Sequence, residues 1–95
     1  MLQVLYSDYS RINILINEDE EIIITTDDME VLDRFSMTNY QALNSNKFIQ
    51  RFNALLKKYF QIDKKVNGDI NKTLYKQAFD RFLKSDFVKE LKGCC

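Results

Sequence analysis

The chain has 95 residues, of which 45% are hydrophobic and 29% are charged, and its 14 basic side chains balance 14 acidic ones. A chain this short supports one core, so we predict a single domain over residues 1–95. The sequence contains no histidine, which excludes histidine-activated nucleophiles, histidine-ligated zinc and the commonest general base near neutral pH. We therefore expect a non-catalytic protein with no cofactor and no metal site.

The cysteines and the first residues of the chain indicate the cellular compartment in which the protein works. Cys94 and Cys95 are adjacent, so they cannot cross-link separate parts of the fold as the disulfides of secreted domains do. The first residues lack the basic and apolar regions of a leader, and no apolar run approaches the roughly 20 residues of a membrane span. These features predict a cytoplasmic protein, in the host cytoplasm if a phage encodes it, without membrane attachment.

Residues 1–26 have the alternation of apolar and polar side chains that is typical of short β-strands. Three runs show it: Leu2 to Tyr6, Ile12 to Ile16 and Ile22 to Thr26. Only a few polar residues separate the runs, which predicts an antiparallel meander of three strands. Leu5, Leu15 and Ile23 fall on the opposite face from the other apolar side chains, so we expect a helix or a partner to cover that face.

After residue 26 the pattern changes to one that favours helices. Asp27 followed by Glu30 is a capping box, and it predicts a helix that runs to about Phe35. Thr38 followed by Gln41 repeats the capping signal. It predicts a break near residues 36–38 and a short turn of helix before residue 44.

Three later segments also predict helices. A stripe of apolar residues at helical spacing predicts a helix over residues 47–60, with its inward side chains at Phe48, Phe52, Leu55 and Tyr59. Asn71 predicts the cap of a helix to about Leu83, with Leu74, Tyr75, Ala78, Phe79 and Phe82 inward. Ser85 or Asp86 predicts the cap of a last helix that runs through Lys92 and is ended by Gly93.

Together these elements predict an α+β fold whose two parts differ in charge. A small three-stranded antiparallel sheet (residues 1–26) is followed by three or four helices (residues 27–92) packed on one face. Residues 1–33 contain nine acidic side chains and one basic one, which gives a net charge of −8. Residues 34–95 contain thirteen basic side chains and five acidic ones, which gives +8. Such asymmetry points to a charged partner or to neutralisation within the fold.

The loop between the two long helices matches only part of a calcium-binding loop. If Gly68 is the obligatory glycine, Asp63 stands at the first ligand position. Lys65 then stands where a third-position carboxylate belongs, and Leu74 replaces the bidentate glutamate. We interpret the segment as an ordinary helix hairpin and predict no metal there.

The acidic residues are the first candidate site. Eight carboxylates follow one another in the first third of the chain: Glu18, Asp19, Glu20, Glu21, Asp27, Asp28, Glu30 and Asp33. We predict that they dock on a basic groove of a nucleic-acid-handling enzyme and inhibit it by mimicking phosphates. In general character the chain resembles the small inhibitors and accessory proteins of phages and mobile elements. Two alternatives are plain solubility and neutralisation by the basic helices of the chain itself, and helix capping already accounts for Asp27, Asp28 and Glu30.

The basic residues are the second candidate site. Six lysines have the density that phosphate binding requires: Lys57, Lys58, Lys64, Lys65, Lys72 and Lys76. In this alternative the protein is a nucleic-acid-binding accessory protein. The aromatic residues, however, are spaced as core residues are rather than placed for stacking on bases. The same lysines also fit an ordinary solvated face. A homodimer through a sheet edge or the second sheet face is a further hypothesis.

Overall fold

The structure is a computed structural model, which describes residues 2–36, 45–62 and 68–93. In these parts of the chain, four strands precede three helices. The strands are β1 (Gln3–Ser7), β2 (Ile12–Ile16), β3 (Glu21–Thr26) and β4 (Val31–Ser36). The helices are α1 (Ser45–Tyr59), α2 (Gly68–Leu83) and α3 (Asp86–Leu91). The predicted α+β class, with an N-terminal antiparallel sheet followed by helices, is confirmed.

The sheet has four strands rather than the predicted three. Their order is β1-β2-β3-β4, and each strand pairs antiparallel with its neighbour in sequence. The helix predicted from Asp27 to Phe35 is therefore wrong, because this segment forms a turn and then β4. Met29 lies exposed in the turn instead of facing a core, while Phe35 is buried on the sheet opposite Ile22.

The three hairpins share one turn geometry, repeated every nine residues. Each turn begins with a residue whose backbone N–H donates to the carbonyl oxygen four positions later: Asp8 to Ile12, Asn17 to Glu21 and Thr26 to Glu30, at 2.9, 3.1 and 3.0 Å. The fourth residue of each turn is left-handed, with φ of 69° at Arg11, 59° at Glu20 and 66° at Met29. A left-handed residue after a β-turn lets the chain rejoin the next strand with the twist of the sheet.

One face of the sheet and the three helices enclose a single hydrophobic core. Its fully buried members are Ile12, Ile14, Ile22, Ile24, Phe48, Phe52, Leu56, Phe82 and Val88. Phe82 is at the centre, since its ring lies 4.1 Å from the ring of Phe52 and 5.6 Å from that of Tyr6, measured between centroids. The core therefore joins α2 both to α1 and to the edge strand β1.

The helices agree with the sequence predictions except at the start of α2. Ser85 caps α3, its hydroxyl oxygen accepting the backbone N–H of Val88 at 3.3 Å, and Gly93 follows the helix in the left-handed region. The helix predicted to start at Asn71 begins at Gly68, and Leu74 is exposed instead of inward. The predicted turn of helix before residue 44 and the first five positions of the calcium-type loop, residues 63–67, lie outside the described residues.

The second face of the sheet also carries apolar side chains. Leu15 and Ile23 pair across β2 and β3 and are buried, yet they lie outside the helix-side core. Leu5 was expected beside them, but a bulge between Val4 and Tyr6 turns it toward the core, against which it packs. The expectation for Leu5 is therefore wrong.

Candidate protein-binding surfaces

The meander places six of the eight predicted carboxylates at two opposite ends of the sheet. The turn between β2 and β3 holds Glu18, Asp19 and Glu20, which we call the acidic tip. The turn between β3 and β4 lies at the other end of the sheet and holds Asp27, Asp28 and Glu30, which we call the opposite acidic end. All six side chains are exposed. Since β3 has six residues, the two ends are about 20 Å apart, so the acids do not form one cluster.

The other two predicted carboxylates are bound by arginines of the same chain. Arg34 donates two hydrogen bonds to Glu21, at 3.0 and 2.7 Å, and Arg51 donates two to Asp33, at 2.6 and 2.8 Å. Hydrogen bonds from Arg34 and Asn17 lower the pKa of Glu21 to about 2, and those from Arg51 lower the pKa of Asp33. Both groups are thus ionised and already paired.

The acidic tip rests on a turn held by the side chain of Asn17. The amide oxygen of Asn17 accepts the backbone N–H groups of Asp19 and Glu21 at 3.0 and 2.8 Å, and its amide nitrogen donates to the carboxylate of Glu21 at 3.0 Å. Within the described parts of the chain, the carboxylates of Asp19 and Glu20 have no hydrogen bond and no ion pair. They are charged groups on a fixed backbone.

The opposite acidic end contains cations among its carboxylates. Asp27 accepts a hydrogen bond from Asn13 at 2.9 Å, and its backbone N–H donates to the carbonyl oxygen of Arg11 at 3.1 Å. The exposed Arg11 is therefore a near neighbour. Glu30 shares with Lys58 a groove of about 440 Å³ between β4 and α1, whose other lining residues are Val31, Leu32, Leu55, Tyr59 and Gln61. Basic residues therefore lie near both ends, since the guanidinium of Arg34 also acts on Asp19 at the tip.

The predicted basic site is spread over two helices. Lys57 and Lys58 lie in the last turn of α1, Lys72 and Lys76 lie on α2, and all four are exposed. Lys64 and Lys65 lie outside the described residues. Three of the four arginines in the sequence are engaged with carboxylates, namely Arg34, Arg51 and Arg81. The arginine geometry that reads base edges is thus left to Arg11 alone.

A polar network around Asp8 was not anticipated from the sequence. Arg81 donates to both carboxylate oxygens of Asp8, at 2.7 and 2.9 Å. The Tyr6 hydroxyl donates at 3.1 Å, the Ser10 backbone N–H donates at 2.9 Å, and the Ser10 hydroxyl also donates. The Tyr59 hydroxyl reaches the Ser10 carbonyl oxygen at 3.0 Å. The only sequence signal was the place of Asp8 at the start of a turn.

The pKa shifts of Asp8 and Tyr6 are those expected around a structural ion pair. Burial alone would raise the pKa of Asp8, but hydrogen bonds from Arg81 and Ser10 outweigh it and hold that pKa well below its usual range. Burial and the neighbouring charge of Asp8 raise the pKa of Tyr6 well above its usual range. Both carboxylate oxygens of Asp8 have donors, so the network connects the first hairpin to α1 and α2 rather than presenting a reactive group.

Other classes of site have no support in the described parts of the chain. Within residues 2–36, 45–62 and 68–93, no three of the potential metal-ligating side chains are grouped as a metal ion requires. None of the helices there combines the length and the apolar character needed to cross a membrane. Comparison with protein-family models, with curated proteins and with solved structures finds no match.

Proposed function

We propose that the protein is a non-catalytic binding protein whose acidic tip docks on a basic surface of another protein. The observation that carries this proposal is the contrast among the acids of the sheet. Asp8, Glu21 and Asp33 each form a hydrogen-bonded ion pair with an arginine. Asp19 and Glu20 are exposed and form no such pair in the described residues, although the charge of Arg34 also acts on Asp19. The fold thus provides guanidinium partners for some carboxylates and leaves negative charge at the tip.

Exposed like charges on a short turn repel one another, and a basic partner removes this repulsion. Because Asn17 already fixes the backbone of the turn, docking costs little conformational entropy there. The partner we favour is an enzyme that handles nucleic acid, since its groove carries cations placed for phosphates. Carboxylates bound in that groove would block its substrate, so the protein would act as an inhibitor.

Nucleic-acid binding through the helices is the alternative. Lys57, Lys58, Lys72 and Lys76 are exposed and suit phosphate contacts. The engagement of Arg34, Arg51 and Arg81 within the fold leaves little arginine for base recognition. This favours the protein-binding proposal, and any nucleic-acid binding would be non-specific.

The test uses two double variants that remove the same charge from the two ends. Asp19→Asn with Glu20→Gln neutralises part of the tip, and Asp28→Asn with Glu30→Gln is the matched control. Each immobilised protein captures proteins from an extract of the source cells, and the captured partner is purified and its affinity measured at low and physiological salt. We expect the tip variant to lose about tenfold in affinity and to flatten the salt dependence, and the control to change little.

Equal affinity of the tip variant and the unmodified protein would overturn the proposal. A second measurement addresses the alternative, with fluorescence anisotropy of labelled duplex DNA, single-stranded DNA and RNA. We expect no binding even at low salt, where electrostatic attraction is strongest. Salt-sensitive binding that Lys57→Gln with Lys58→Gln abolishes would replace the proposal by the nucleic-acid alternative.

A further inference from the structure

The two edges of the sheet differ in charge. β1 and β4 are the outer strands of the sheet that residues 2–36 form, and each contains a bulge. β4 also carries Asp33 and Arg34, whereas no residue of β1 carries a charge. Proteins commonly place charges on edge strands because unpaired backbone groups there would otherwise pair with another chain. By this criterion β4 is protected and β1 is open to pairing.

β1 also exposes apolar surface. Val4 is 59% exposed and Leu2, just before the strand, is 44% exposed. Val4 pairs with Leu15 and therefore points to the second face of the sheet. No Asp, Glu, Lys or Arg occurs in residues 1–7, although residues 8–33 carry a net charge of −8. The β1 edge is thus a neutral, apolar strip on a strongly acidic sheet.

We propose that β1 pairs with β1 of a second copy of this chain. A basic partner would be drawn to the acidic ends of the sheet. The sheets of two copies both carry net negative charge, so they can approach each other closely only where neither has a charged side chain. A twofold axis perpendicular to the sheet makes the two strands antiparallel and joins the sheets into one of eight strands. The two Val4 side chains then lie on the same face and extend the apolar row of Leu15 and Ile23.

The size of the edge determines the strength of this dimer. Five residues of β1 span about 17 Å. A contact of this length buries less than the roughly 1,200 Å² of a standard stable interface. The dimer is therefore weak, and it forms at micromolar concentrations or above.

The test is sedimentation velocity of the full chain from about 1 µM to about 1 mM, with a reductant so that Cys94 and Cys95 cannot link molecules. The variant Val4→Lys places a charge on the β1 edge. Val31→Lys is its matched control, because Val31 is 53% exposed and lies on the other edge strand. Circular dichroism verifies that both variants fold.

We expect the apparent mass of the unmodified protein to rise with concentration from 11.3 kDa toward twice that value. Val4→Lys should remain monomeric over the whole range, and Val31→Lys should behave as the unmodified protein does. A monomer at every concentration, or a dimer that Val4→Lys leaves intact, would overturn the inference. Since the tip variant leaves β1 unchanged, this outcome is independent of the proposed function.

Discussion

Asp8 and Arg81 are 73 residues apart in the chain, and two hydrogen bonds join them into an ion pair that ties the first hairpin to α2. Arg34 with Glu21 and Arg51 with Asp33 have the same two-bond geometry. The carboxylate of Asp8 is the most shielded of the three, with 4% of its side chain exposed. Because shielding from water strengthens an ion pair and penalises an unpaired charge, this pair matters most for stability.

Replacing Asp8 by Asn should destabilise the fold. The change leaves the Arg81 guanidinium without its carboxylate, and since Arg81 is partly exposed we expect a loss of about 2 kcal/mol in the free energy of unfolding. Urea denaturation measures it. The control is Asp80→Asn, which breaks the exposed pair with Lys84 and should cost less than about 0.5 kcal/mol. Equal losses for the two variants would contradict the assigned role of Asp8.

The contribution of Asp8 should depend on pH. Its pKa in the folded protein is below the value in the unfolded chain, so the stability it provides is fully present above about pH 5 and is lost as the pH falls below about 4. Urea denaturation of the unmodified protein and of Asp8→Asn between about pH 2 and pH 7 tests this. The difference in the free energy of unfolding between the two proteins should be constant near neutral pH and should become smaller in acid. A difference independent of pH would contradict the prediction.

Replacing Met29 by Gly should stabilise the third hairpin. Met29 is left-handed, with φ of 66°, and its side chain is exposed. Glycine adopts this conformation without the cost that a Cβ atom imposes, so we expect a gain of about 0.5 to 1 kcal/mol after the greater entropy of unfolded glycine is subtracted. Met29→Ala is the control, because it keeps the Cβ atom and should change little. A loss of stability in Met29→Gly would show that the turn is not strained.

Truncating Phe82 should be the most damaging core substitution. Its ring contacts the rings of Tyr6, Phe48, Phe52, Phe79 and Phe87. Phe82→Ala should lower the free energy of unfolding by about 3 to 5 kcal/mol, a large part of what a small domain has. Tyr9→Ala serves as the comparison, since Tyr9 is exposed and only its ring face meets Arg81, and it should cost less than about 1 kcal/mol. Thermal denaturation distinguishes the two.

The elements that the sequence predicted well are those whose signals are local. The helix over residues 47–60 follows from apolar spacing, and the start of α3 follows from Ser85, whose hydroxyl oxygen caps the helix. The segment from Asp27 to Phe35 forms a turn and a strand although its residues predict a helix, because a capping box and a hairpin turn use the same residue types. Thr26 accepts the backbone N–H of Glu30 at 3.2 Å, which resembles a helix cap chemically but closes a turn.

A signal for β4 was nonetheless present in the sequence. Asp8, Asn17 and Thr26 are nine residues apart, and each has a short side chain whose oxygen accepts a hydrogen bond from the backbone of its turn. Comparing these three positions would have predicted a third hairpin and hence a fourth strand. Single-residue propensities do not contain this information, because the repeat appears only when the turns are aligned.

Which acids remain available for a partner could not be predicted from composition. The pairing of Glu21 with Arg34 requires β3 and β4 to be neighbours, and that of Asp33 with Arg51 requires α1 to cross β4. Both depend on tertiary placement. The charge asymmetry between the two parts of the chain was visible from counting, whereas its division into paired and unpaired carboxylates required the fold.

The order of the strands has a consequence for synthesis of the chain. Every strand pairs with its sequence neighbour, so the sheet needs only local contacts, which form early in folding. Its inner face carries Ile12, Ile14, Ile22 and Ile24, and their covering residues belong to α1, α2 and α3. A ribosome adds these helices after the sheet is complete. A sheet that forms before α1 emerges would leave its most apolar surface uncovered until that helix docks.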